Sequence, residues 1–367
     1  MGTNQNFLNT LFLGGGGATC LLEMQLVLRR KQPFLVLPCN RQMAAHVLAL
    51  YPAQTVFSRM ARTIFRCVLR LNLLRKSRTI KIPFSPEAPF VRFLSKQTIS
   101  EGKPPPFGIL AGNPNSPGQR LIFLILDANG NPKTVVKAGT TDFAKKLIAH
   151  EKQFLQSAPN FSGIPRLRGV FASSEIDALA MDFISGEPLR SSEQKHLPEF
   201  LSAWVNSKKQ IAIGQTDLWL RLKERCGRHS IFQRLAEMME CRLVCSTIYH
   251  GDFAPWNIKT CPDGSWMALD WERGELEGIP GWDWFHYVVQ TDILVGKKSV
   301  AAIVKRLETL LGSSEFGKYS QLAGIAGTEQ ASVLAYLLDQ YEIIMPSEGA
   351  ECGRELISTL ADRWLKI

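Results

Sequence analysis

Apolar and polar positions change their period several times along this chain. Phe34 to Leu37 is a short apolar run that predicts a strand, and Met43 to Leu50 follows with helical spacing. Between Phe57 and Leu74, Arg59, Arg62, Arg66 and Arg70 recur at steps of three and four. Met60, Ile64, Val68, Leu71 and Leu74 cover another face, which predicts a helix with one basic stripe. Pro83, Pro86, Pro89 and Pro104 to Pro106 then mark 83–106 as an extended linker.

Past the linker the period shortens. Phe107 to Ala111, Leu121 to Leu126 and Thr134 to Lys137 are apolar runs. They are separated by Gly112–Gly118 and by Asp127–Pro132, both rich in turn formers. They predict a three-stranded antiparallel meander over 107–138. A helix follows, with Thr141 as N-cap, Asp142 at its positive end, and Phe143, Leu147, Ile148, Phe154 and Leu155 as its apolar face. Strands are expected at Arg168 to Ala172 and Ala178 to Ile184. From Leu197 onwards helical spacing dominates, except around 248–272.

Composition narrows the classes. The 367 residues are 45% hydrophobic and 21% charged, as in ordinary globular chains, and contain no apolar run long enough to span a bilayer. The stretch Phe7 to Leu28 is broken by Asn9, Gly14 to Gly17, Glu23 and Gln25 and lacks a basic leader, so it does not read as a secretory signal. The net charge of +10 is uneven. Residues 1–100 hold 14 Lys and Arg against 2 Asp and Glu; the rest hold 29 against 31. That split predicts a separate basic N-terminal unit. Its basic helix has three readings: a solvated face, an acidic partner's contact, or a peripheral contact with an anionic membrane through 57–78. Nucleic acid is not expected, because no aromatic interleaving or recognition motif accompanies the charge. Eight scattered cysteines suit a reducing, cytoplasmic setting. Cys226, His229, Cys241 and Cys245 have zinc-like spacing, but the helix expected over Ile231 to Arg242 separates the pairs.

The chemistry concentrates in one segment. His250–Gly251–Asp252–Phe253–Ala254–Pro255–Trp256–Asn257 is followed, after the turn Pro262 to Ser265, by Leu269–Asp270–Trp271–Glu272. Loop, short strand, tight turn and second strand would gather Asp252, Asn257 and Asp270. Phosphoryl transfer needs such a set. Mg²⁺ takes hard oxygen ligands, which Asn257 and Asp270 supply, while a separate carboxylate, Asp252, orients the attacking hydroxyl.

This paired motif resembles that of the aminoglycoside phosphotransferase and choline kinase group, which share the protein-kinase-like fold. The resemblance covers about 107–367. It implies an α+β, two-lobed chain: a small antiparallel β lobe over 99–186, a mainly helical C-lobe over 187–367, and an extra basic unit over 1–98. It implies ATP and Mg²⁺ as cofactors, with Asp252 as base, Asn257 and Asp270 as metal ligands, and His250 as a brace of the catalytic loop. Asp283, in Gly281–Trp282–Asp283–Trp284, matches an acid that holds that loop by hydrogen bonds. A kinase-like small lobe also needs a phosphate-contacting Lys and a helix Glu, which Lys137 and Glu151 supply in the expected order. Gly112 to Gly118 sits where a phosphate-covering loop belongs, although it departs from Gly-x-Gly-x-x-Gly. Backbone groups of Asp182, Phe183 and Ile184 would meet the adenine.

The acceptor stays open among sugars, amino alcohols, antibiotics and glycan or lipid precursors. Trp204, Trp219, Trp282 and Trp284 are either core or an acceptor wall; Glu275 and Glu277 are either solvated or contacts for a cationic acceptor. Two alternative functions also stand. One is a protein kinase, against which Gly251 replaces the Arg of His-Arg-Asp and no Ala-Pro-Glu segment follows. The other is a membrane- or partner-binding protein on an inactive kinase-like scaffold.

Overall fold

The computed structural model describes residues 11–13, 20–29, 32–50, 60, 63–65, 67, 78–98, 104–112, 118–159, 163–344 and 350–365. The chain is α+β, and its contacts divide it into two compact units. Met1–Gln156 with Ile164–Ser185 form the first, and Ser157–Gly163 with Gly186–Ile367 the second.

The first unit is built on an eight-stranded antiparallel sheet. Its strands are β1 (Cys20–Arg29), β2 (Gln32–Pro38), β3 (Arg78–Phe84), β4 (Phe107–Ala111), β5 (Arg120–Leu126), β6 (Pro132–Gly139), β7 (Leu167–Ala172) and β8 (Asp177–Asp182), in the order β3-β1-β2-β4-β5-β6-β8-β7. The expected meander is β4 to β6. Asp127 closes its second turn by accepting the Asn131 backbone N–H at 2.8 Å, with Gly130 in the left-handed region. Helix α3 (Asp142–Ser157) follows β6 and buries Ala144, Ile148, Glu151, Phe154 and Leu155. Phe143, expected on that face, is 53% exposed instead, because it lies one position from Ala144, which takes the inward direction.

The basic N-terminal stretch is not a separate unit. β2 pairs with β4, Leu35 opposite Leu110 and Val36 opposite Ile109, so β1 to β3 continue the sheet of the meander. The boundary expected at 98/99 therefore falls inside one core. β1 escaped the sequence reading because Glu23 and Gln25 interrupt its apolar run. They are the outward half of a period-two strand whose Leu22, Met24 and Leu26 join the core. Glu23 faces Lys81 across the ladder, 3.5 Å away. The proline-rich stretch is not an extended linker either. It holds the end of β3 and all of α2 (Pro89–Ser95), whose first turn accepts Pro89 because the missing N–H has no intrahelical partner there. α2 lays Phe90 on Phe123 (centroids 5.6 Å), and Phe12 stacks on Phe107 (5.5 Å). Helix α1 (Arg41–Val47) is capped by Asn40, whose side chain accepts from Gln42 and Met43 N–H. Arg59, Arg62, Arg66 and Arg70 lie outside the described residues, so the basic stripe does too. Among the described residues no helix is long and apolar enough to cross a membrane.

The second unit is mainly helical. It holds α4 (Leu197–Ser202), α5 (Asp217–Cys226), α6 (Ser230–Met239), α7 (Trp282–Gln290), α8 (Val300–Leu311), α9 (Ser314–Ala323), α10 (Glu329–Leu338) and α11 (Ala350–Trp364). Two small sheets join them: β10 (Val205–Ala212), β11 (Leu243–Tyr249) and β14 (Glu275–Gly278), in the order β10-β11-β14, and β9 (Glu187–Pro188), β12 (Ile258–Thr260) and β13 (Trp266–Ala268), in the order β13-β12-β9. β10 interrupts a region expected to be helical, with a bulge between Asn206 and Gln210. Trp204, Trp219, Trp282 and Trp284 are all at most 4% exposed and belong to the core. Two of the zinc-like residues have other uses. His229 caps α6 by accepting the Ile231 N–H at 3.3 Å, and the Cys245 thiol donates to the Leu322 carbonyl.

Candidate active site

Strand β11 delivers the chain into the loop His250–Asn257. Gly251 makes the turn possible at φ 77°. A Cβ there would lie 2.7 Å from Arg273 Cβ and 2.9 Å from the Arg273 carbonyl oxygen. Asp283, in the first turn of α7, binds the loop from below. Its two oxygens accept the backbone N–H of His250 (2.7 Å) and of Gly251 (3.1 Å). Burial drives the Asp283 carboxyl up to about 7 in spite of those two donors.

His250 is fully buried and held at both ring nitrogens. Nδ1 accepts the Asp252 backbone N–H at 3.2 Å, and Nε2 lies 2.8 Å from the Leu269 carbonyl, to which it donates. The hydrogen-bond network assigns this tautomer. Burial depresses the imidazole to about 4, so the ring is neutral near pH 7 and spans from the loop to β13's exit. Its face lies against Trp271, centroids 4.4 Å apart.

Asp252 is 31% exposed, beside the buried His250, Asp283 and His286. Asn257 Nδ2 donates to Asp252 Oδ2 at 2.9 Å and to its carbonyl at 2.8 Å, and His286 Nε2 meets Oδ1 at 3.1 Å. Burial pushes the Asp252 carboxyl up, but the hydrogen bond from His286 and the nearby Arg273 guanidinium outweigh it and hold the group below its ordinary value. Asn257 ends a 3₁₀ turn, Pro255–Asn257, that begins with the proline. Its carbonyl accepts the Leu269 N–H at 2.7 Å, and the Ile258–Ala268 pair begins the β12–β13 ladder beside it. Asp270 therefore leaves the ladder next to Asn257, at φ 72°, in the left-handed region that non-glycine residues avoid.

Asp252, Asn257, Asp270, His250 and Asp283 thus gather in the second unit. Lys137 and Glu151 pair in the first. Lys137 on β6 and Glu151 on α3 meet at 2.6 Å, with side chains 9% and 0% exposed. Also in the first unit, the Gly112 N–H donates to the Arg120 carbonyl at 3.0 Å, Gly118 lies against Leu147, and 113–117 fall outside the described residues. Asp182 forms an ion pair with Arg168, and the Phe183 N–H donates to the Lys133 carbonyl at 3.0 Å, immediately before Ile184. Glu277 pairs with Lys209 at the surface.

His286, Tyr336 and Arg273 were missed from the sequence. A signal existed for His286: it follows Asp283 by three positions, so both stand on one face of α7. Arg273 bears on Asp252 from beyond Glu272, where no spacing rule points.

No protein-family model matches the chain, and no curated protein matches it. Among solved structures, the apo form of a thermostable mutant of aminoglycoside phosphotransferase APH(4)-Ia is similar over 74% of this chain and 98% of its own, at 14% identity and TM-score 0.48. A further variant of that mutant, in ternary complex with ADP and hygromycin B, matches over 74% and 97%, at 12% identity and TM-score 0.46. Aminoglycoside phosphotransferase APH(3'')-Id from Streptomyces rimosus, in complex with ADP and streptomycin, matches over 60% and 89%, at 16% identity and TM-score 0.39.

Proposed function

We propose that this chain is a Mg²⁺-dependent phosphotransferase that moves the γ-phosphoryl group of ATP to a hydroxyl of a small molecule, with Asp252 as catalytic base. The observation that carries this is the state of Asp252. The carboxylate is held ionised, each oxygen is anchored by one donor, and the group is still partly open. A carboxylate so held has lone pairs left for an incoming hydroxyl. It orients that hydroxyl and takes its proton as the new P–O bond forms. A raised pKa is not needed, because the proton moves late.

The donor set suits Mg²⁺. Asn257 turns its Nδ2 toward Asp252, which leaves its amide oxygen for a cation, and Asp270 adds a carboxylate on a backbone fixed by the ladder. When bound, the ion offsets charge on the phosphates. Lys137 contributes a cation toward the nucleotide phosphates, with its ammonium paired to Glu151. Gly112, Gly118 and the backbone of Asp182 to Ile184 contribute to the nucleotide site. His250 braces the loop and exchanges no proton, since burial keeps it neutral.

The test is incubation of the protein with Mg·ATP and a metabolite extract, followed by mass spectrometry for species gaining one phosphate. Such a species should form with the wild type and not with Asp252→Ala. Equal product from both proteins, or none from either at high enzyme, would sink the reading.

A further inference from the structure

We propose that His286 is a positioning residue for the base: its Nε2–H fixes Oδ1 of Asp252, and Tyr336 sets the tautomer that lets it do so. The proposal rests on Asp252 as the base and adds a buried hydrogen-bond chain that sets its orientation.

Three observations carry it. First, the geometry is continuous. His286 Nε2 lies 3.1 Å from Asp252 Oδ1, and the Tyr336 hydroxyl lies 3.2 Å from His286 Nδ1. Second, both partners are wholly buried, at 0% exposure each, so neither ring nitrogen has bulk water as an alternative. Third, the chain has a direction. A neutral imidazole has one donor and one acceptor nitrogen. Burial raises the Tyr336 phenol well above its ordinary value, so it keeps its proton and donates it to Nδ1. Nε2 then carries the imidazole's proton and must donate to Asp252.

The placement on α7 adds a purpose. Asp283 and His286 are i and i+3 on that helix and serve successive parts of one loop. Asp283 holds the backbone N–H groups of His250 and Gly251, and His286 holds the side chain of Asp252. With Asn257 on Oδ2, the carboxylate plane is fixed from both sides. The competing account is a core histidine satisfied by whatever polar atom lies nearby. On that account removing its donor would affect stability and leave turnover per folded molecule unchanged.

The 367-residue chain labelled with ¹⁵N-histidine tests both. The chain has six histidines, so the His286 ring nitrogens can be identified by their loss in His286→Gln. The wild type should show a single Nε2–H tautomer at His286. Tyr336→Phe should mix the tautomers, and Asp252→Asn should move the Nε2 resonance. An Nδ1–H tautomer, or a ring that ignores both substitutions, overturns the proposal. In parallel, hydrolysis of Mg·ATP without an added acceptor is measured per folded molecule. His286→Leu should lower kcat about ten- to a hundredfold, the scale that misplacing a reacting group costs, while KM for ATP stays within about twofold. His286→Gln, which can place an N–H where Nε2 stands, should recover most of kcat. Equal losses in both variants, or no loss in His286→Leu, overturn it. Failure of the base assignment shows separately, as full activity in Asp252→Ala, and the ring-nitrogen spectrum judges the hydrogen-bond chain in either case.

Discussion

Asp283 accepts the backbone N–H of His250 at 2.7 Å from a position 33 residues later in the chain, and it does so while 6% exposed. Its carboxyl is raised by burial to about 7 from an ordinary value near 3.8. The folded protein thus holds this proton more tightly than the unfolded chain. The corresponding stabilisation is full below about pH 4 and is lost as pH rises through about 7. Urea midpoints of wild type and Asp283→Asn, compared between pH 5 and pH 8, should show the wild type losing more stability over that range. Asp283→Ala leaves two buried N–H groups without acceptors and should cost about 2–4 kcal/mol. A parallel pH dependence in wild type and Asp283→Asn would show that Asp283 does not titrate there.

The Lys137–Glu151 pair separates structure from chemistry. Removing one partner strands the other in the interior, which costs about 3–5 kcal/mol, whereas an uncharged pair of similar size can restore stability. Lys137→Met should therefore destabilise strongly. Lys137→Met with Glu151→Gln should regain much of the loss in urea denaturation and still bind Mg·ATP poorly, measured by calorimetry. Wild-type ATP affinity in the double variant would remove Lys137 from the nucleotide site.

Much of this was legible in the sequence, for physical reasons. The β4–β6 meander and α3 announced themselves because their periods are clean and their turns carry Asp127, Gly130 and the Thr141 cap. The loop at 250–257 stood out because His250, Asp252 and Asn257 are polar side chains at fixed spacing among apolar neighbours, and the hydrogen bond from Asn257 to Asp252 is the contact that spacing allows. What stayed hidden depends on contacts distant in sequence. β1 hides behind Glu23 and Gln25, whose outward direction only the pairing with β3 reveals. The prolines at 83, 86 and 89 read as linker because a proline is as compatible with a strand end or a first helical turn as with an extended chain. Tyr336 reaches His286 across 50 residues, and nothing local in Ala335–Tyr336–Leu337 distinguishes it from the core around it.

The continuous sheet leads to a prediction opposite to the one the charge split suggested. Phe12, Ile82, Phe90 and Phe93 from the basic stretch share one core with Phe107, Phe123 and Val136. A truncated chain beginning at residue 99 would lose more than half of that cluster and bare the β4 edge. It should be recovered as aggregate. In the intact chain, Phe90→Ala should cost about 3–5 kcal/mol in a chemical melt. A soluble, cooperatively folding 99–367 fragment would show that the basic strands decorate the sheet without supporting it.

Asp270 gives the sharpest separation of stability from function. Its φ of 72° carries a cost of about 1–2 kcal/mol for most side chains and less for Asn and Gly. Asp270→Asn keeps an oxygen and a tolerated backbone but removes the charge that a hard cation prefers. Asp270→Gly relieves the backbone and removes the ligand entirely. Melting temperatures should therefore hold for Asn and hold or rise for Gly. Mg·ATP turnover should fall in both, and only Asn should recover part of it at high Mg²⁺. If both variants melt early, Asp270 is held for packing. If both melt like wild type and turn over like it, the cation is bound elsewhere.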